Sequence, residues 1–194
     1  MTASIIAVMF SAIISNNIVL SQYQGICPFL GVSKKMSSAV GMGFAVIFVL
    51  AIASLFCWVI YNFLLLPLSL DYLYTMAFIL VIASLVQMME VILKRFSPTL
   101  YSALGIYLPL ITTNCAILGA TNSAVVYESY GLVYTFAFSV ATGIGFLLAM
   151  VLLAGVRAKT DKADIPACFK GFPITLVTAG IMALAFAGFS GILA

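Results

Sequence analysis

Long apolar runs separated by short polar or charged stretches make up most of this chain. The runs are continuous and lack the two-residue alternation of barrel strands, so the pattern predicts helices. Each run is close to the roughly 20 residues that a helix needs to cross the hydrocarbon core of a bilayer. We therefore predict an all-α integral membrane protein with six transmembrane helices. The predicted spans cover residues 3–22, 38–66, 72–93, 99–120, 131–156 and 171–193.

Composition supports a membrane location. The 194 residues are 65% hydrophobic and 7% charged, with a mean hydropathy of +1.28, and a soluble domain of this size could not bury so much apolar surface. The net charge of +3 is divided among separate short loops, which is not a nucleic-acid-binding pattern. Histidine is absent, which removes the commonest metal ligand and leaves cysteine thiolates as the candidate soft anionic ligands. The first apolar run has no basic segment before it, and we expect a retained helix rather than a signal peptide.

The basic residues define the expected topology. All eight Lys and Arg residues follow predicted spans one, three and five. By the positive-inside rule these loops are cytoplasmic, and both termini lie on the outer, periplasmic side of a bacterial inner membrane. Three spans in each half reverse the direction of the second half. We therefore expect a single membrane domain, residues 1–194, built from an inverted-topology repeat of residues 1–95 and 96–194.

A Cys-x-x-Leu-Gly pattern occurs once in each half, at residues 27–31 and 115–119. Each copy follows polar residues that interrupt an apolar run too long for one straight crossing. These residues are Asn16, Asn17, Ser21, Gln22, Gln24 and Gly25 before Cys27, and Thr112, Thr113 and Asn114 before Cys115. Such groups are costly in hydrocarbon unless they face protein or a cavity. We therefore predict that the first and fourth helices are broken here. Because the halves cross in opposite directions, the two thiols should meet within the membrane.

Three interpretations of this cysteine pair are open. The thiols could be small core residues, or form a disulfide, or supply half of an iron–sulfur site. Iron–sulfur clusters generally take four thiolates, so a partner chain would have to supply two more. Hydrogen bonds from neighbouring groups would then tune the reduction potential. The candidate neighbours are Gly25, Ile26, Thr113, Asn114 and Ala116. Cys57 and Cys168 lack the repeat context, and we expect ordinary thiols there.

The segments around both cysteines resemble a known family. NNIVL at 16–20, GICPFLGVSKK at 25–35 and LGIYLPLITTNCA at 104–116 resemble the A subunits of Rnf ion-translocating electron-transport complexes. The resemblance spans essentially the whole chain. It extends to the homologous E subunits of sodium-pumping NADH:quinone oxidoreductases. Asn16-Asn17 and Cys27-Pro28 favour the Rnf branch.

The resemblance implies that Cys27 and Cys115 ligate an intramembrane [2Fe–2S] cluster, completed by two cysteines of the homologous E-type membrane protein of the complex. The chain would be a non-autonomous subunit of a ferredoxin:NAD oxidoreductase, carrying electrons across the membrane and contributing to Na⁺ or H⁺ translocation. NAD and flavins would be bound only by other subunits of the complex, which include B, C, D and G, and ferredoxin would be an indirect partner. Two rival hypotheses are a small inverted-repeat solute transporter and a cofactor-free structural membrane subunit.

Overall fold

The computed structural model describes residues 2–67, 71–96, 110–111, 113–127 and 131–189. Within these residues the chain is helical and contains no strand, as predicted. Short π-helical turns extend three of the helices, at Ser11–Ser15, Tyr61–Leu65 and Ser123–Tyr127. The α-helices are α1 (Thr2–Phe10), α2 (Ile26–Val32), α3 (Met36–Ile60), α4 (Tyr74–Phe96), α5 (Cys115–Asn122), α6 (Leu132–Thr160) and α7 (Phe172–Ala187).

Two helical stretches in the described part of the chain are long and apolar enough to cross a membrane. They are Met36–Leu65, with a mean hydropathy of 2.7, and Leu132–Thr160, with 2.3. Both match predicted spans, at 38–66 and 131–156. The other apolar helical stretches are shorter and coincide with parts of the remaining spans: Ile5–Ser15, Tyr74–Met88, Cys115–Val125 and Phe172–Ala187. That the chain crosses the membrane six times therefore stays a prediction.

The fourth predicted span needs a correction. Most of residues 99–120 lies outside the described residues, but the helix that begins at Cys115 does not stop at residue 120. It continues through α5 and a π-helical turn to Tyr127. Ala124 and Val125 are buried, so the added turn places further apolar side chains in the core.

Large apolar side chains cover much of the bundle surface. Phe44 is 62% exposed, Leu80 68% and Leu184 75%. Exposed apolar surface on this scale is rare on a soluble monomer but is the normal outer surface of a helix bundle in lipid. The exposure pattern therefore agrees with the membrane location expected from composition.

Helices α3 and α6 form the most extensive helix pair and run antiparallel. A Cβ atom built on Gly43 would collide with the Leu147 side chain, and one on Gly143 would lie 2.9 Å from Ile47. These two glycines allow the helix backbones to approach closely. At the far end of the pair, Gly155 lies beside Met36. The beginning of α3 and the end of α6 are therefore at the same end of the bundle.

Helix α4 folds back along α3 and brings a third basic segment to that end. The Phe78 ring packs edge-on against Tyr61 at 6.3 Å and against Tyr74 at 6.0 Å, close to the turn between the helices. Helix α4 therefore ends near the start of α3. The C-terminal ends of α2, α4 and α6 share one end of the bundle, which agrees with the arrangement predicted from the basic residues at and after these ends. The side of the membrane that this end faces stays a prediction.

Candidate metal centre between two broken helices

The first break is organised by a single buried amide, that of Asn17. Its side chain is 0% exposed. Its Nδ2 donates to the Ile13 carbonyl at 2.9 Å and to the Gly145 carbonyl of α6 at 2.8 Å. Its Oδ1 accepts from the backbone N–H groups of Val19 at 3.0 Å and Leu20 at 3.2 Å. Asn17 thus replaces the hydrogen bonds that the interrupted helix loses, and it ties the break to α6.

A second amide, Asn114, starts the helix after the second break. Its side chain is buried, and its Oδ1 accepts from the Ala116 N–H at 3.1 Å, which caps the first turn of α5. Thr113 precedes it in an exposed turn. Cys115 is the first residue of α5, and Cys27 is the second residue of α2. Both breaks predicted from the sequence are therefore present where residues are described, and each cysteine lies in the first turn of the helix that follows.

Gly25 joins the two cysteine segments. Its backbone N–H donates to the Cys115 Sγ at 3.1 Å, and Cys27 follows two residues later in the chain. Gly25 has a φ of +77°, and a Cβ there would lie 2.9 Å from Ala116, 3.0 Å from the Asn114 Oδ1 and 3.1 Å from Phe146. Only glycine meets both demands without strain. The structure therefore brings together the segments around Cys27 and Cys115, although they are far apart in sequence.

These segments lie halfway along the bundle. Gly25 packs against Phe146, and Asn17 binds the neighbouring Gly145 carbonyl. Phe146 is at the centre of α6, which extends from Leu132 to Thr160. At 1.5 Å per residue, each end of that helix is about 21 Å away. If α6 spans the membrane, both breaks meet near the midplane of the bilayer.

All four thiols are free, but their surroundings differ. Cys27 and Cys115 are exposed, whereas Cys57 is buried within α3 and Cys168 is exposed in a short turn before α7. Exposure of Cys27 and Cys115 disagrees with their being core residues, and their free state disagrees with a disulfide. The role of this pair stays a prediction. Among the described residues no three His, Cys, Asp or Glu side chains lie together as a complete metal site requires.

The two Cys-x-x-Leu-Gly copies are not equivalent. A Cβ on Gly119 would collide with the Gln24 side chain, whereas a Cβ on Gly31 would have nothing within 4 Å. The glycine of the second copy thus makes room for a residue of the first break. Sequence reasoning found the pattern but did not predict this contact.

Arg157 is a further residue that sequence reasoning missed. From the last turns of α6, its Nη1 donates to the Leu30 carbonyl at 3.1 Å and to the Ser33 Oγ at 3.2 Å. A cation beside the last carbonyls of a helix also interacts favourably with the helix dipole. Arg157 therefore holds the C-terminal end of α2, the short helix that begins beside Cys27. In the sequence, Arg157 is recognisable only as one of the basic residues that indicate topology. Nothing in the sequence indicates its contact with α2.

Ile26 and Ala116 complete the predicted neighbours of the cysteines. Ala116 is buried against Gly25, and Ile26 is 37% exposed at the first turn of α2. Among the predicted neighbours, Gly25 donates a hydrogen bond directly to a cysteine sulfur. Metal ligation by Cys27 and Cys115 stays a prediction.

Comparison with known sequences defines the family. Residues 5–193 match the family described as "Rnf-Nqr subunit, membrane protein". The chain belongs to the Rnf-Nqr family of membrane subunits. The resemblance seen around the two cysteines is therefore confirmed over nearly the whole chain.

Individual members of the Rnf-Nqr family are similar along their full length. The A subunit of the Na⁺-translocating ferredoxin:NAD⁺ oxidoreductase complex of Acetobacterium woodii is 54% identical over 188 residues, covering 97% of each chain. The A subunit of an ion-translocating oxidoreductase complex from Syntrophotalea carbinolica is 49% identical over 189 residues, again 97% of each. The protein of that name from Yersinia pseudotuberculosis serotype O:1b is 50% identical over 180 residues, 93% of each.

Proposed function

We propose that the chain is the A-type membrane subunit of an Rnf-type, redox-driven ion pump. It acts within an ion-translocating ferredoxin:NAD oxidoreductase complex, as the names of its relatives in Acetobacterium woodii and elsewhere describe for those proteins. Its place is the bacterial inner membrane, with both termini outward and the basic loops in the cytoplasm. NAD and flavins belong to other subunits, since this chain has no dinucleotide-binding or phosphate-binding loop.

Within that complex, Cys27 and Cys115 form a half-site for a [2Fe–2S] cluster shared with the homologous membrane subunit. The single observation that carries this is the hydrogen bond from the Gly25 N–H to the Cys115 Sγ, at the level of Phe146 in the centre of α6. The donor set fits, since thiolates are the usual cluster ligands and two are present. When bound, the cluster supplies one-electron transfer between cofactors on the two sides of the membrane.

Three features of the chain's own residues suit this role. Both thiols are exposed and so available to a second chain. The Gly25 N–H already donates to one sulfur, and such hydrogen bonds set cluster potentials. A position at half-depth divides the roughly 30 Å hydrocarbon core into two shorter steps for an electron.

An inverted-topology repeat accounts for how two such breaks meet. The contacts of Gly43 with Leu147 and of Gly143 with Ile47 are reciprocal, as a two-fold axis between α3 and α6 requires. Any two antiparallel helices have a local two-fold axis of this kind at the point where they cross. The repeat is further supported by the two broken helices, which approach the same level from opposite halves. The axis pairs Gly43 with Gly143.

Spectroscopy of the intact complex tests the half-site. We expect the complex, purified without oxygen together with its homologous membrane subunit, to contain iron and sulfide assigned to this site and to give a cluster EPR signal on reduction. Cys27→Ala and Cys115→Ala should each abolish that signal. The matched controls Cys57→Ala and Cys168→Ala should retain it.

Other outcomes would favour the rival functions. Solute flux by the isolated chain, unaffected by Cys27→Ala and Cys115→Ala, would indicate a small transporter. An assembled complex without iron between the two subunits would indicate a structural role. Either result would overturn the proposed half-site.

A further inference from the structure

Two cavities lie side by side at the junction of α2, α6 and α7, outside the Cys115 segment. The larger one, which we call the basic cleft, has a volume of about 550 Å³. The smaller one, which we call the apolar groove, has a volume of about 240 Å³. Ile26 and Leu30 line both cavities, so the two cavities adjoin one another. The basic cleft is further lined by Cys27, Lys34, Arg157, Gly171 and Phe172, and the apolar groove by Tyr23, Leu176, Ala179, Gly180 and Ala183.

The mouth of the basic cleft carries two positive charges. Lys34 is exposed, and Arg157 uses only its Nη1 to hold Leu30 and Ser33. In the part of the chain that the structure describes, neither cation has a carboxylate partner. The Arg157 Nε and Nη2 donors and the Lys34 ammonium are therefore available to an anion that enters the cleft.

The two cavities together have the depth of one leaflet. Arg157 follows Phe146, the centre of α6, by eleven residues, which is about 16 Å at 1.5 Å per residue. That places its charge at the edge of a hydrocarbon core whose half-thickness is about 15 Å. Along α7, Phe172 in the basic cleft and Ala183 in the apolar groove are also eleven residues apart, which is again about 16 Å. The basic cleft and the apolar groove together therefore extend from the headgroup level to the midplane.

We propose that the basic cleft and the apolar groove together bind one anionic phospholipid. The phosphate lies between Lys34 and Arg157, and an acyl chain follows the apolar groove along α7. A cationic mouth that continues into an apolar channel of leaflet depth matches an amphiphile with a negative headgroup. Anionic lipids are also those that the cytoplasmic leaflet offers to basic residues at helix ends. Cys27, one of the two proposed cluster ligands, also lines the basic cleft, so this site lies beside the proposed cluster. The contacts assigned to the phosphate come from Lys34 and Arg157 and need neither thiol nor a metal.

Lipid retention by the full chain tests the site. The chain would be reconstituted in nanodiscs of equimolar phosphatidylglycerol and phosphatidylcholine, extracted in mild detergent, and its bound lipid identified by native mass spectrometry. We expect phosphatidylglycerol to be retained selectively. Lys34→Gln should lower that retention about fivefold, because a basic residue near an anionic headgroup contributes about 1 kcal/mol. Its neighbour Lys35 does not line the cleft, so Lys35→Gln should change retention less than about twofold.

A second variant tests the apolar part without altering charge. A Cβ on Gly180 has nothing within 4 Å, so Gly180→Leu can fill the apolar groove without a clash in the folded chain. It should reduce phosphatidylglycerol retention at least as strongly as Lys34→Gln. Ala185→Leu places the same side chain at an exposed position of α7 outside the groove and should leave retention unchanged.

Three results would overturn the proposal. One is equal retention of phosphatidylcholine and phosphatidylglycerol. Another is an equal loss in Lys34→Gln and Lys35→Gln, which would indicate general surface charge. A third is unchanged lipid retention in Gly180→Leu, which would show that no acyl chain occupies the apolar groove.

Discussion

Replacing Asn17 by Ala should destabilise the bundle more than any other single polar deletion at the first break. The Asn17 side chain makes four hydrogen bonds while fully buried, two as donor and two as acceptor. Side-chain hydrogen bonds in membrane proteins average about 0.6 kcal/mol, so four contribute roughly 2.4 kcal/mol. The substitution also leaves the Val19 and Leu20 N–H groups buried without acceptors, which adds to the loss. We expect a total of about 3 kcal/mol.

The measurement is equilibrium unfolding of the chain by SDS in mixed micelles, followed by circular dichroism and by the fluorescence of Trp58, the single tryptophan. Asn16→Ala is the matched control. Asn16 is exposed, and its side chain donates one hydrogen bond, to the Ser11 Oγ at 3.2 Å, so its loss should cost less than about 0.5 kcal/mol.

An isosteric variant separates the two halves of the Asn17 network. Asn17→Asp keeps the acceptor for Val19 and Leu20 but loses both donors and places a carboxylate beside the Gly145 carbonyl. A charge at half-depth costs about 2.5–3.5 kcal/mol on insertion scales, so this variant should be no more stable than Asn17→Ala. Equal unfolding free energies for Asn17→Ala and Asn16→Ala would refute the role assigned to Asn17.

Three further predictions concern the packing around the cysteines, each measured by the same unfolding assay. Gly25→Ala should cost about 2 kcal/mol, because φ is +77° and Ala116 blocks a Cβ, whereas Gly31→Ala should be neutral or stabilising in an open helical position. Asn114→Ala should cost about 1 kcal/mol through loss of the α5 cap, and Asn114→Ser should recover most of it. Arg157→Gln should cost about 2 kcal/mol and Arg157→Lys less, while Lys159→Gln on the same helix turn should change little. If Gly31→Ala is destabilising, the role assigned to Gly25 is contradicted. If Asn114→Ser is no more stable than Asn114→Ala, the capping role of Asn114 is contradicted. If Lys159→Gln costs as much as Arg157→Gln, the contact assigned to Arg157 is contradicted.

Sequence patterns predicted the helices and the positions of both breaks for physical reasons that act locally. An apolar run in lipid can satisfy its backbone only as a helix, so hydropathy determines the main spans. Polar residues such as Asn17 and Asn114 within those runs need partners, which is why they mark the breaks. The basic loops predicted which helix ends lie together, and the α3–α6 contacts agree.

The contacts that organise the breaks could not be predicted, because they join distant parts of the chain. Nothing near Asn17 in sequence indicates that its amide binds the Gly145 carbonyl. The collision between Gln24 and a Cβ at Gly119 depends on how the two halves dock. The end of the helical stretch that begins at Cys115 was also missed, because three polar residues, 121–123, follow the predicted end. In the fold Thr121 is buried and donates to the Ile117 carbonyl, and the helical backbone continues. Each of these depends on tertiary packing rather than on local propensity.

The first break also has a surface that lipid alone cannot cover. Gln22 and Tyr23 are exposed within it, and Cys27 is exposed just beyond it. Asn17 and Phe146 place this region at the level of the centre of α6, where hydrocarbon would surround any uncovered face. Irregular backbone at that depth is tolerated only when protein or a water-filled cavity covers it, because each unsatisfied polar group costs several kcal/mol. A second membrane chain over this face would remove that cost and would bring its own side chains to Cys27 and Cys115. The exposed break therefore requires a cover for reasons of solvation, independently of the metal that the two thiols are proposed to share.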